Sequence, residues 1–231
     1  MHSISLNQPE APACIAQSAK PSVTNWPVGN DRHQQIREVA LALFVKQGYG
    51  NVSLRQLAAP LGLRAGSLYH HLESKQALLF DLISEHLQNL LDSATWEVSR
   101  APETTTQLRA FIATHIDFHI RHQSLALLSN LEMRSLECAN QEEIKSLLKH
   151  YRECLAGILA SGMKAGLFQT QPIVSAVQGV LAMLSGIAFW FDEQAAGQSP
   201  PLNHEQLTRQ FTRMVFGALG AAPELIERLA P

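Results

Sequence analysis

Apolar residues recur at three- and four-residue spacing along most of the chain, and no stretch alternates with the two-residue period of a strand. The pattern predicts an all-α fold of successive helices. A first helix spans about Asp31–Gln47, with Asn30 or Asp31 as cap, and two short helices follow between Ser53 and Leu72. A long helix runs from near Ser74 to Val98 and stops before Ala101-Pro102. Helices are then expected at about Thr105–His122, Ser124–Leu136 and Asn140–Gly166, the last with Glu142 and Glu143 at the positive end of its dipole. Pro172, at a favoured first-turn position, opens a helix reaching about Gln194. After a loop over Gly197–Pro201, Asn203 caps a final helix to about Leu219.

The organisation is tripartite. Residues 1–29 carry Pro9, Pro12, Pro21 and Pro27 without periodicity and read as a disordered arm. With one Lys and no Arg before Trp26, it is too weakly basic to grip DNA. Residues 30–78 form a small three-helix unit, and 79–231 a larger helical one.

The string from Ser53 to Lys75 is the sharpest local signal. Ser53 can cap a helix whose Leu54, Leu57, Ala58 and Leu61 form a buried stripe, leaving Arg55 and Gln56 outside. Pro60 removes an amide donor, so that helix ends or distorts there. Gly62 supplies the turn, and Leu63 plugs the junction. In the next helix Leu68 and Leu72 face inward, while Arg64, Ala65, Ser67, Tyr69 and His70 are left exposed as a donor-rich surface. Lys75, at the start of the following helix, is placed to meet a phosphate. Arg64 suits a bidentate contact to guanine or an ion pair with phosphate. Spacing alone fits a helix-turn-helix reader of the DNA major groove or a solvated helical hairpin.

Composition narrows this. A net charge of −2 shows that the whole molecule is not a basic nucleic-acid binder. From Trp26 to Phe80, however, six Lys/Arg face three acids, and the excess falls on the helix-turn-helix unit. Three cysteines, Cys14, Cys138 and Cys154, lack disulfide or metal spacing and suit a reducing, cytoplasmic setting.

The stretch from Arg32 to about Leu82 resembles the DNA-binding domain of the TetR/AcrR family of bacterial transcriptional repressors. The resemblance is carried by Ile36, Ala40, Leu43-Phe44 and Gly48-Tyr49. It continues through Ser53, Leu57-Ala58, Gly62-Leu63, the run Gly66-Ser67-Leu68-Tyr69-His70-His71-Leu72, Ser74-Lys75 and Leu78. It implies that Ser53, Arg55, Arg64, Ala65, Ser67, Tyr69, His70 and Lys75 contact a palindromic double-stranded operator. It also implies a C-terminal ligand-binding and dimerisation domain and release from the operator by a small hydrophobic effector, with no enzyme activity and no cofactor. Pro60, Leu63, Leu72 and Arg64 depart from the family's usual residues.

Ile173 to Phe191 is a run of nineteen residues without a charge. A membrane span is set aside, because the run holds Ser175, Gln178 and Ser185, lacks a basic flank and is followed by Asp192 and Glu193. A helix apolar all round is one buried between a core and a partner. The resemblance implies a homodimer through the helices near 172–194 and 203–219. Gly179 and Gly186 would permit close approach, with Leu207, Phe211, Met214, Val215 and Ala218 supplied by the last helix.

The fifth helix places Leu108, Phe111, Ile112, His115, Phe118, His119 and His122 within one arc, opposite an Asp117–Arg121 pair. Three inward histidines admit three readings: core residues bonded locally, polar anchors for a ligand, or a metal site at the i, i+4 pair His115/His119. A metal-dependent enzyme or metal sensor on His115, His119 and His122 is the rival function, and a helical adaptor without DNA is a third. Further candidate lining residues are Trp96, Leu127, Leu131, Met133, Phe168, Met183, Phe189 and Trp190.

Downstream, Glu132-x-Arg134-Ser135-Leu136, Tyr151-Arg152, Gly162…Gly166-Leu167-Phe168 and Phe189-Trp190-Phe191 resemble a branch of the family that senses acyl-CoA thioesters. That resemblance implies phosphate contacts from Arg134 and Arg152.

Overall fold

The computed structural model describes residues 31–191 and 203–229. The disordered arm expected over 1–29 and the loop at 197–201 lie outside them. The described residues contain eleven α-helices and no strand.

The head begins with α1 (Asp31–Gln47), then α2 (Leu54–Ala58) and α3 (Ala65–Leu68). Ser53 caps α2, its hydroxyl accepting from the Gln56 amide at 3.3 Å while the Gln56 side chain accepts from the Ser53 amide at 2.8 Å. Pro60 acts as anticipated: α2 ends at Ala58 and tightens into a 3-10 turn over Ala59–Leu61. Gly62, at φ 66°, then reverses the chain while the Leu63 amide bonds the Ala58 carbonyl at 3.1 Å. The third helix is a single α turn. Its line is continued by bonds from His71 and Leu72 to the Leu68 carbonyl.

Next come α4 (Lys75–Arg100), α5 (Thr104–Arg121), α6 (Gln123–Glu132) and α7 (Cys138–Lys164). The expected single helix over 172–194 is two, α8 (Ile173–Ser185) and α9 (Ile187–Trp190), parted at Gly186. Then follow α10 (His204–Ala218) and α11 (Pro223–Leu229), the last not foreseen in the hydrophobic pattern.

Two cores organise these helices. One gathers Ile36, Ala40, Phe44, Leu57, Leu68 and Leu72 of the head with Leu78, Leu79, Leu82 and Ile83 of α4. It also takes in Leu125 and Leu128 of α6, Leu136 and Ile144. The other joins Leu90, Ala94 and Val98 of α4 to α5, α7, α8 and α10. The expected boundary at residue 78 therefore falls inside a continuous helix shared by both cores. Each fully buried side chain such as Phe44, Phe111 or Phe216 contributes about 1.5–3 kcal/mol.

Helix α10 differs in part from expectation. Leu207, Phe211 and Val215 are buried in this chain's own core, and Met214 and Ala218 stay outside. On α8, Ala176, Val177, Val180 and Leu184 face inward, while Val174, Ser175, Gly179 and Ala182 are exposed.

Candidate nucleic-acid interface and buried histidine cluster

The helix-turn-helix exposes the side chains expected of it. Ser53, Arg55, Arg64, Tyr69 and His70 are exposed, whereas Ala65 and Ser67 are half-buried. Tyr69, 61% exposed, is the most prominent aromatic of the head. Arg64 occupies the N-cap of α3 in an extended conformation.

Lys75 is corrected. Its ammonium donates to the carbonyls of Tyr49 (3.0 Å) and Val52 (2.8 Å) and lies 4.1 Å from the Tyr49 ring centroid. Burial lowers its pKa. Two of its three donors hold the turn after α1, so the residue is a clamp within the head with one donor left for any further contact.

A second set of bonds ties this turn to the body. The Glu132 carboxylate accepts the Tyr49 backbone N–H at 3.1 Å and the Ser135 hydroxyl at 2.6 Å. Gln76 donates to the Ser135 carbonyl at 2.7 Å and accepts from the Glu137 amide at 3.3 Å. Arg37 of α1 pairs with Glu85 of α4 at 2.8 Å, with Arg37 buried and Glu85 partly exposed. The connection between α6 and α7 thus rests directly on the DNA-facing unit.

Within the body the α5 stripe is buried as its spacing required, with Phe111, His115, Phe118 and His119 all inside. His115 Nδ1 shares a hydrogen bond with the Tyr151 hydroxyl at 2.8 Å, and its Nε2 lies 3.3 Å from Ser185 Oγ. His119 Nδ1 faces the His115 carbonyl at 2.9 Å. The two rings stack, with centroids 4.0 Å apart and an interplanar angle of 11°. Desolvation lowers the His115 pKa well below 6.5, lowers that of His119 to about 4, and raises that of Tyr151. These side chains are neutral near pH 7.

That geometry gives no support to the metal reading of His115, His119 and His122. Stacked rings do not converge their lone pairs, and both His115 nitrogens already have partners. Among the described residues, no group of three or more His, Cys, Asp or Glu side chains could hold a metal ion.

Other expected lining residues are dispersed. Trp96 is half-buried under the Arg100 guanidinium, 5.6 Å from its ring centroid, and belongs to neither core. Met133 packs against the head core and Leu127 is half-buried. Arg134, Leu131, Phe189 and Trp190 are exposed. Phe168 is pressed against Gly162 in the core, and Met183 is partly buried against that core. Of the expected ligand set, the fold brings together the α5 residues Phe111, His115, Phe118 and His119. Arg152 instead lines a shallow groove between α7 and α8 with Lys149, Ala156 and Val177.

The sequence reading missed His86. It is 3% exposed, and its ring lies 5.1 Å from Phe118 and 6.4 Å from both His119 and His122. Its place on the stripe Leu79, Ile83, His86, Leu90 was legible by the spacing applied to α5.

Comparison with known proteins agrees with this anatomy. The pattern of "Bacterial regulatory proteins, tetR family" matches residues 36–82, and that of "Tetracyclin repressor-like, C-terminal domain" matches residues 101–219. The "Fatty acid metabolism regulator protein" of Bacillus subtilis (strain 168) is 23% identical over 135 residues, 58% of this chain and 70% of the relative. The "HTH-type transcriptional repressor KstR2" of Mycolicibacterium smegmatis is 24% identical over 195 residues, 81% of this chain and 90% of the relative. The crystal structure of AibR in complex with isovaleryl coenzyme A and operator DNA superimposes with a TM-score of 0.69 at 22% identity. That superposition covers 82% of this chain and 98% of AibR. The chain belongs to the TetR family of bacterial regulatory proteins and is a helix-turn-helix transcriptional regulator.

Proposed function

We propose that the protein is a homodimeric repressor that leaves a palindromic operator when an apolar effector of the acyl-CoA class enters its body. The observation that carries this reading is α4. Its first two turns sit in the head core and its later turns in the body core, so a ligand that moves the body end also moves the reading surface. The ligand acts through its different affinities for the two head positions. AibR, with its coenzyme A thioester and operator, and the fatty acid regulator supply the effector class.

In this reading Arg64, Tyr69 and His70 meet the major groove, with Arg55 and Ser53 at the flanking backbone. A second copy covers the exposed apolar positions Val174, Phe189, Trp190 and Met214 and closes on the small residues Ser175, Gly179 and Ala182. Such a protein works beside the chromosome, in the cytoplasm.

A mobility-shift titration with promoter DNA containing the palindrome tests the reading. Arg64→Ala and Tyr69→Ala should each weaken binding by about tenfold or more, and a long-chain acyl-CoA should release the wild type. Unchanged affinity in both variants would remove the assignment of α3 as the reader.

A further inference from the structure

Glu137 immediately precedes α7 of the body, yet it stands among residues of the head. It forms one wall of a cavity of about 380 Å³. The facing walls include Tyr49, Ser53 and Tyr69 of the head and Ser74 and Lys75 at the start of α4. Gln76 fixes this placement. It donates to the Ser135 carbonyl at 2.7 Å and accepts from the Glu137 amide at 3.3 Å. Both bonds engage main chain, so the Glu137 carboxylate takes no part in holding the two units together. The residue is exposed, and among the described residues no Lys or Arg forms an ion pair with it.

The charge is felt inside the cavity. Burial raises the pKa of the Tyr49 hydroxyl, and the Glu137 carboxylate raises it further. Lys75 is the one cation lining the cavity, and its ammonium is turned to the Tyr49 and Val52 carbonyls. The remaining walls favour an anion. Ser53 and Tyr69 bring hydroxyls, and Ser74 caps an α4 whose first amides point outward. Glu137 is the single group that opposes one.

We propose that Glu137 limits the affinity of this protein for DNA, its carboxylate repelling the backbone phosphate that seats against Ser53 and Tyr69. The inference rests on the reading above that places those two residues on the DNA. Two like charges 6–8 Å apart in a watery setting weaken binding by about threefold, and a dimer that engages both half-sites squares the factor. The repulsion is with phosphate, so it acts on every sequence alike.

The test compares the full chain with Glu137→Gln, Glu137→Asp and Glu142→Gln by fluorescence anisotropy. The DNA is the promoter duplex containing the palindrome and a scrambled duplex of equal length. Glu137→Gln removes the charge and leaves the amide that Gln76 holds, so it should fold as the wild type does. It should bind both duplexes about tenfold more tightly at about 50 mM salt, with the gain shrinking toward 300 mM. Glu137→Asp, which keeps the charge, should stay near the wild type. So should Glu142→Gln, an exposed acid of α7 paired with Lys145 at 2.6 Å, which changes net charge equally. The proposal is overturned if Glu137→Gln binds no more tightly than the wild type. It is also overturned if Glu142→Gln tightens binding as much, or if the gain is confined to the palindrome. The underlying reading fails separately: Arg64→Ala and Tyr69→Ala would then both leave operator affinity unchanged.

Discussion

Glu132 accepts the backbone N–H of Tyr49 at 3.1 Å across 83 residues of sequence, joining the end of α6 to the turn that follows α1. Its other oxygen accepts the Ser135 hydroxyl, so the carboxylate is held from both sides. Glu132→Leu should expose the Tyr49 amide to exchange and destabilise the head by roughly 1–3 kcal/mol. Hydrogen exchange resolved at Tyr49 measures this directly, and unchanged protection there would mean that the bond does not operate in solution.

Lys75 and Arg64 should part company in salt titrations. Lys75→Met removes two bonds to main-chain carbonyls, so it should lower the melting temperature. The slope of operator affinity against salt should be left nearly intact. If Arg64 meets phosphate, Arg64→Ala should instead reduce the slope by about one and spare the melting temperature.

The body should lose stability in mild acid. His86 and His119 titrate at about 3 and about 4 when folded, and His115 well below 6.5, against about 6.5 in the unfolded chain. The unfolded state therefore binds more protons between those values. Stability is complete above pH 6.5 and falls as pH drops toward 4, by up to roughly 1.4 kcal/mol per pH unit for each histidine. Urea midpoints at pH 7.5 and pH 5 check the sign, and His119→Leu should flatten the dependence.

Two glycines give opposite expectations. A Cβ at Gly162 would overlap the Phe168 ring, so Gly162→Ala should cost about 1–3 kcal/mol through a forced shift of that ring. At Gly179 an added Cβ would meet nothing within 4 Å beyond its own helix among the described residues. Gly179→Leu should leave the fold of one subunit alone and weaken its pairing, as sedimentation would show. A dimer of unchanged strength would place the interface elsewhere.

Local chemistry made much of this protein legible in one dimension. The Ser53 cap, the Pro60 break, the left-handed Gly62 and the α5 stripe depend on neighbours within about four residues, and each was found as its spacing required. The solvated Asp117–Arg121 pair, at 2.7 Å, belongs to the same class. The break at Gly186 was not so legible, because a glycine inside an apolar run is compatible with a continuous helix.

What only the tertiary structure decided is which polar atoms meet across long separations. Lys75 carries the same charge whether it faces a phosphate or the Tyr49 carbonyl, and only the path of the turn after α1 brings that carbonyl within 3.0 Å. The histidines of α5 fit a metal, a ligand or a core by spacing alone, and only packing supplied the partners of His115: the stacked His119 ring, the Tyr151 hydroxyl and Ser185 Oγ. His86 joined them because α4 lies against α5, 33 positions back from His119 in sequence. Helical spacing determines which face of each helix is apolar. The identity of the neighbour on that face comes from packing, which no local period encodes.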